Sequence, residues 1–144
     1  MNPEARIALK KLLCQEEGYR QFPYKDTTGH LTIGYGRNLE ARGIFPSEAI
    51  QMLENDIEYF ESKIRKSLPC YASLDSVRQA VLVDMCFNLG VNGLLSFNKL
   101  INALNHNDYD SASDEMLNSL WAKQVGQRAI DLSQAMKSGK LPHN

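Results

Sequence analysis

Glu17, Asp26 and Thr32 put two carboxylates and a hydroxyl into one short stretch of the chain. Cleaving a glycosidic bond needs a carboxylic acid that keeps its proton near working pH, to protonate the leaving oxygen. It also needs a second carboxylate facing the first. Glu17, at the end of a predicted helix, suits the first role, and Asp26, on the hairpin that follows, suits the second. The Thr32 hydroxyl could hold a water that Asp26 also holds. Each has a plainer reading. Glu17 is also a solvated helix-end glutamate, Asp26 an Asx-turn aspartate, and Thr32 a residue that favours strands. Glu16 competes with Glu17, and periodicity does not separate them.

The elements that must position these groups follow from the spacing of apolar residues. Residues 4–17 form a helix with Ala5, Ala8, Leu9, Leu12 and Leu13 on one face, and Gly18 ends it. From Tyr19 to Tyr35 the period drops to two. Phe22 and Tyr24 alternate, then Leu31 and Ile33, around a turn near Thr27-Thr28-Gly29, which predicts a small β-hairpin. Gly34 and Gly36 mark a bend or a close backbone approach. Residues 37–46 are a linker. Ser47 is the expected N-cap of a long helix, with Ile50, Leu53, Ile57, Phe60 and Ile64 along it, running to Leu68 before Pro69. Helices are further expected over 74–90, near 97–105, over 108–122 around Trp121, and over 126–137. Two unlike lobes result, and a cleft between such lobes is the default place for a ligand.

The chain has 144 residues, 43% hydrophobic and 23% charged, with a net charge of −1 and a pI near 6.3. This balance supplies no bulk attraction to nucleic acid or to an anionic membrane. No apolar run reaches membrane-spanning length. Three cysteines, Cys14, Cys70 and Cys86, make a disulfide framework a poor expectation and a reducing compartment the better one. Cys14 and Cys86 read as buried thiols. The first residues lack an apolar core of the signal-peptide kind, so none is expected. His30, His106 and His143 are scattered, without metal-ligand spacing. Gly34-Tyr35-Gly36 is no phosphate fingerprint, and neither a Gly-x-Ser-x-Gly elbow nor a credible Cys–His pair is present. No cofactor is expected.

Phe87 and Asn88, near the end of the 74–90 helix, could offer an apolar face and amide groups to a sugar. Their plain reading is a core phenylalanine and a helix-end asparagine. Trp121 reads as a core anchor.

The pattern Glu17-Gly18 … Tyr24-Lys25-Asp26-Thr27-x-Gly29-x-x-Thr32-Ile33-Gly34-x-Gly36 resembles the phage-type lysozymes. Two further blocks carry the likeness: Tyr71-x-Ser73-Leu74-Asp75-x-Val77-Arg78, leading into Phe87-Asn88-Leu89-Gly90, and Phe97, Trp121 and Arg128-Ala129. The resemblance implies a mainly helical α+β, bilobal lysozyme-like fold. A small hairpin lobe, residues 14–57, is joined by a long helix to a helical lobe of residues 1–13 and 58–144. It implies a muramidase that hydrolyses the β-1,4 bond between N-acetylmuramic acid and N-acetylglucosamine, with inversion, the outcome that goes with carboxyls roughly 6.5–9.5 Å apart.

In that reading Glu17 is the general acid, Asp26 positions and activates water, and Thr32 helps to hold it. Arg128 pairs with the catalytic glutamate. Phe87 contacts sugar, and Asn38, Leu100 and Glu115 fall at substrate-contact positions, though with different residue types. A family member has a histidine where Arg37 stands, opposite an aspartate matching Asp56, so an Arg37–Asp56 pair is expected here. The implied partners are peptidoglycan glycan strands, with no nucleic acid and no stable membrane association. The chain would act as a monomer. It would wait in the cytoplasm of the producing cell until a pore-forming protein lets it reach the periplasm or cell wall. Two rivals from other classes are a catalytically weak peptidoglycan-binding module and a lytic transglycosylase. The transglycosylase would need an acid but no water clamp.

Overall fold

A computed structural model of the chain describes residues 1–142, so His143 lies outside the described residues. Contacts divide the chain into two compact units, Met1–Met52 and Leu53–Asn144. Residues 1–13 count with the first unit because helix α1, Pro3–Glu17, runs unbroken through residue 13.

In the first unit, α1 starts on an Asn2 side chain that accepts from the Ala5 amide, with Pro3 in the first turn, where its missing N–H costs nothing. None of its residues is buried. Three antiparallel strands follow in the order β1 (Arg20–Lys25), β2 (Leu31–Gly34) and β3 (Arg37–Asn38). Tyr24 faces Thr32 and Lys25 faces Leu31, but the register shifts between Tyr24 and Arg20, which faces Gly34. Pro23 lies in that shifted stretch and has no amide to give a ladder.

The stretch after Gly36 is no linker. It holds β3 and a short helix, α2 (Leu39–Arg42), capped by the Asn38 side chain on the Ala41 amide. Helix α3, Pro46–Ser67, begins two residues earlier than a Ser47 cap would have it. Pro46 takes the first helical position, and Glu48 reaches back to the Phe45 amide at 2.7 Å. Of its apolar face, Ile64 is buried and Phe60 half-buried, while Ile50, Leu53 and Ile57 are exposed.

The second unit holds the core. A 3₁₀ turn, Pro69–Ser73, leads into α4, Ser76–Leu95, capped by Asp75 on the Arg78 amide. The helix breaks at Gly90, whose φ of 67° is non-helical, and resumes to Leu95. Helices α5 (Asn98–Asn105), α6 (Tyr109–Leu117), α7 (Leu120–Val125) and α8 (Gln127–Ser138) complete it. The expected 108–122 helix is two helices, because the Ser119 hydroxyl accepts from Ala122 and starts α7. Val81, Leu82, Met85, Leu94, Leu104, Met116 and Met136 are among the fully buried side chains. Trp121 is buried as expected, edge-on to Phe97. Cys86 is buried, and burial pushes its thiol up to about 11. Cys14 and Cys70 are free and half-buried, so Cys14 is less covered than its helical pattern led one to expect.

Arg78 locks this unit. Its guanidinium donates to the Met136 carbonyl at 2.7 Å and the Lys137 carbonyl at 3.0 Å, and lies 3.6 Å from the Tyr109 ring centre. The start of α4 thereby caps the end of α8, where bare carbonyls favour a cation.

Candidate active site

Glu17 is the last residue of α1 and is exposed. Gly18, at φ 71°, stops the helix, and its amide bonds the Cys14 carbonyl at 3.1 Å. Gly36 has φ 72° and lies against the Glu17 side chain. A β-carbon at position 36 would sit 2.6 Å from Glu17 Oε2 and 2.8 Å from Cδ. The three atoms nearest that point all belong to Glu17, so the turn out of β2 has a close approach to this carboxyl.

Asp26 stands at the mouth of the β1–β2 turn. One carboxylate oxygen, Oδ1, accepts from the Thr28 amide (2.9 Å), the Thr28 hydroxyl (2.8 Å) and the His30 amide (2.9 Å). The His30 amide and the Thr28 hydroxyl, outweighing some desolvation, hold the carboxyl below the usual aspartate range. The Asx-turn reading of Asp26 therefore holds, and it is compatible with chemistry, since all three bonds fall on one oxygen.

Thr32, 3% exposed, donates its hydroxyl hydrogen to the His30 carbonyl at 2.9 Å. The Asp26 amide donates to the same carbonyl, also at 2.9 Å. Backbone atoms of His30 thus link the second carboxylate to the hydroxyl. Asn38 faces Thr32 across the β2–β3 pair. Its Oδ1 is spent on the α2 cap, which leaves the side-chain NH₂ to offer a ligand.

Arg37 finds its carboxylate in Glu48, eleven residues on, and not in Asp56. The pair is bidentate, at 2.8 and 2.6 Å, and Arg37 also donates to the Gly43 carbonyl and lies over the Phe45 ring. The short 37–46 segment folds into β3 and α2 and brings Glu48, in the first turn of α3, to the guanidinium. A bidentate fork and one backbone acceptor fix the guanidinium in place.

The remaining expected site residues belong to the second unit. Phe87 (39% exposed) and Arg128 line one groove of about 510 Å³, together with Tyr71, Asp84, Leu53 and Ile57. The Phe87 ring lies 5.1 Å from that of Phe60. Arg128 donates to the Asp84 carboxylate at 2.7 Å and to its backbone carbonyl at 3.1 Å. Leu100 and Glu115 line a smaller pocket of about 330 Å³ between α5 and α6. Glu115 is half-buried there, whereas Leu100 is 1% exposed and packs in the core.

No cluster of three or more histidine, cysteine or acidic side chains that could hold a metal occurs among the described residues. Three groups escaped the sequence reading: the His30 backbone, the Glu48 partner of Arg37, and Asp84. A glutamate at the third helical position after Pro46 is a signal that could have found Glu48. Nothing in spacing points to Asp84.

A small antiparallel sheet, a mainly helical remainder and a carboxyl on the first helix end agree with one family, whose model, described as phage lysozyme, matches residues 14–136. The chain belongs to the phage lysozyme family of peptidoglycan-degrading hydrolases. It is 26% identical to the protein named "Probable T4-type lysozyme 1" of Dictyostelium discoideum, over 93% of this chain and 96% of that one. A second protein of that organism, "Probable T4-type lysozyme 2", is likewise 26% identical over the same shares. The pre-baseplate central spike protein Gp5 of Enterobacteria phage T4 is 27% identical over 97% of this chain, which spans 29% of that longer protein.

Proposed function

We propose that the chain is a muramidase that hydrolyses the β-1,4 bond between N-acetylmuramic acid and N-acetylglucosamine, with inversion at the anomeric carbon. Glu17 protonates the leaving oxygen. Asp26 orients and activates a water on the opposite face of the sugar, and Thr32 helps to hold that water. The observation that carries this reading is the loading of Asp26: three donors occupy Oδ1, and Oδ2 is left to accept from water. The Thr32 hydrogen is given to His30, so that oxygen too offers lone pairs to a donor.

Phe87 is the proposed sugar-facing apolar surface, and Asn38 and Glu115 are proposed substrate contacts; Leu100, packed in the core, leaves that set. Arg128, held by Asp84, is proposed to support the glutamate. The protein acts as a monomer. It is held in the cytoplasm of the producing cell until a pore-forming protein releases it to the wall, a setting that suits three free thiols.

Mass and NMR analysis of digested peptidoglycan tests the chemistry. Hydrolysed reducing ends that form first as the α-anomer are expected. Anhydro ends would mean a transglycosylase, and a β-anomer formed first would mean retention.

A further inference from the structure

We propose that Thr28 and His30 are positioning residues, forming a side-chain relay, His30 to Thr28 to Asp26, that fixes which oxygen of Asp26 faces the water. The proposal rests on the reading of Asp26 as the water-holding carboxylate. The Thr28 hydroxyl lies 2.8 Å from Asp26 Oδ1 and 2.6 Å from His30 Nδ1. A hydroxyl has one hydrogen. If Thr28 gives it to Asp26, the hydrogen in the second bond must come from His30, so Nδ1 carries a proton. A bare Nδ1 would compete with Asp26 for the Thr28 hydrogen. The protonated nitrogen of His30 therefore directs the Thr28 hydrogen onto Oδ1.

The geometry favours that state. Asp26 is the charged group the ring faces, with Nδ1 3.8 Å from Oδ1. The consequence is an asymmetric carboxylate. Oδ1 receives two backbone donors and the relay, and a carboxylate so loaded cannot rotate without losing all three. Oδ2 keeps its lone pairs for another donor. Neither relay member touches the reacting atoms; both act through Asp26.

The test uses the full chain on soluble peptidoglycan fragments. kcat, KM and the pH profile are measured for Thr28→Val, Thr28→Ser, His30→Leu and His30→Asn, with Asp26→Asn as the reference. Thr28→Val and His30→Leu should each lower kcat about two- to tenfold with KM unchanged, the worth of one hydrogen bond. Both should move the acid limb of the profile upward: Thr28→Val removes a donor to Asp26, His30→Leu removes the N–H that holds the Thr28 hydroxyl in its donating orientation, and a carboxylate with fewer or weaker donors protonates more easily. The double variant should lose no more than the worse single one. Thr28→Ser, which keeps the hydroxyl, and His30→Asn, which keeps an N–H near the Nδ1 position, should restore both readouts.

An inactive Asp26→Asn beside a Thr28→Val with wild-type kcat and acid limb would overturn the relay and leave the role of Asp26 standing. Loss of kcat without a moved acid limb and without rescue by serine or asparagine would also overturn it, as a merely structural effect. An Asp26→Asn variant with wild-type activity would overturn the functional reading itself.

Discussion

Gly36 lies beneath the Glu17 carboxyl, at the point where any other residue's β-carbon would come within 2.6 Å of Oε2. The two residues come from different elements, the end of α1 and the turn from β2 into β3. The relation separates Glu17 from its neighbour Glu16, which helical spacing alone could not do. The turn that approaches Glu17 belongs to the hairpin sheet that also bears Asp26 and Thr32.

Gly36→Ala should therefore act twice. Its φ of 72° strains an alanine by about 1–3 kcal/mol, read as a lower Tm. The methyl also displaces the acid, and a misplacement of about 1 Å costs on the order of a hundredfold in rate. Gly29→Ala, with a similar φ of 83° but open space around the added carbon, supplies the comparison. It should show the strain with a much smaller loss of turbidity-clearing rate.

The Arg37–Glu48 pair sets a pH dependence of stability. Hydrogen bonds from Arg37, and then from the Phe45 amide, hold the Glu48 carboxyl below its usual range. A depressed folded value means stability that is present above the unfolded pKa, about 4.3, and lost as pH falls through the folded one. Glu48→Gln should lower Tm at pH 7 and converge with wild type in acid. Arg37→Ala should lower Tm across neutral pH without shifting any midpoint near pH 6–7, because arginine does not titrate there. Thermal melts from pH 2.5 to 8 check both.

Arg78→Ala should be among the costlier substitutions outside the apolar core. The side chain is 13% exposed and gives two bonds to the last carbonyls of α8 and one to Asp75. Burial pushes the Asp75 carboxyl up, but the Arg78 donors outweigh it and leave it lowered. Removing the guanidinium should cost about 2–4 kcal/mol by urea unfolding. Arg78→Lys should recover little, because a point charge cannot reach two carbonyls and an aspartate in a planar fork.

Much of this was legible from residue spacing. The change from helical to alternating period at Gly18 and the turn at Gly29 mark α1 and the hairpin within a residue or two. Long helices such as α3 and α4 repeat their apolar face often enough to be counted. The 37–42 segment was missed because β3 and α2 are each shorter than one readable period. The α6–α7 break was missed because Ser119 looks like any polar residue until its hydroxyl is seen on the Ala122 amide. At the site, residue types pointed to Glu17, Asp26 and Thr32. The bonds that orient them run through the His30 backbone and a glycine, neither of which leaves a mark in side-chain patterning. Arg37 shows the same limit: Glu40, Glu48, Glu54 and Asp56 all follow it in the chain, and only the fold says which one it meets.

Clearing of peptidoglycan turbidity by wild type, Glu17→Gln and Glu16→Gln, each checked for an unchanged Tm, tests the central claim most directly. Glu17→Gln should lose about 10²- to 10⁴-fold, the worth of a positioned general acid, while Glu16→Gln keeps wild-type rates. A Glu17→Gln variant that still clears at the wild-type rate, or a Glu16→Gln variant that does not clear at all, would contradict it.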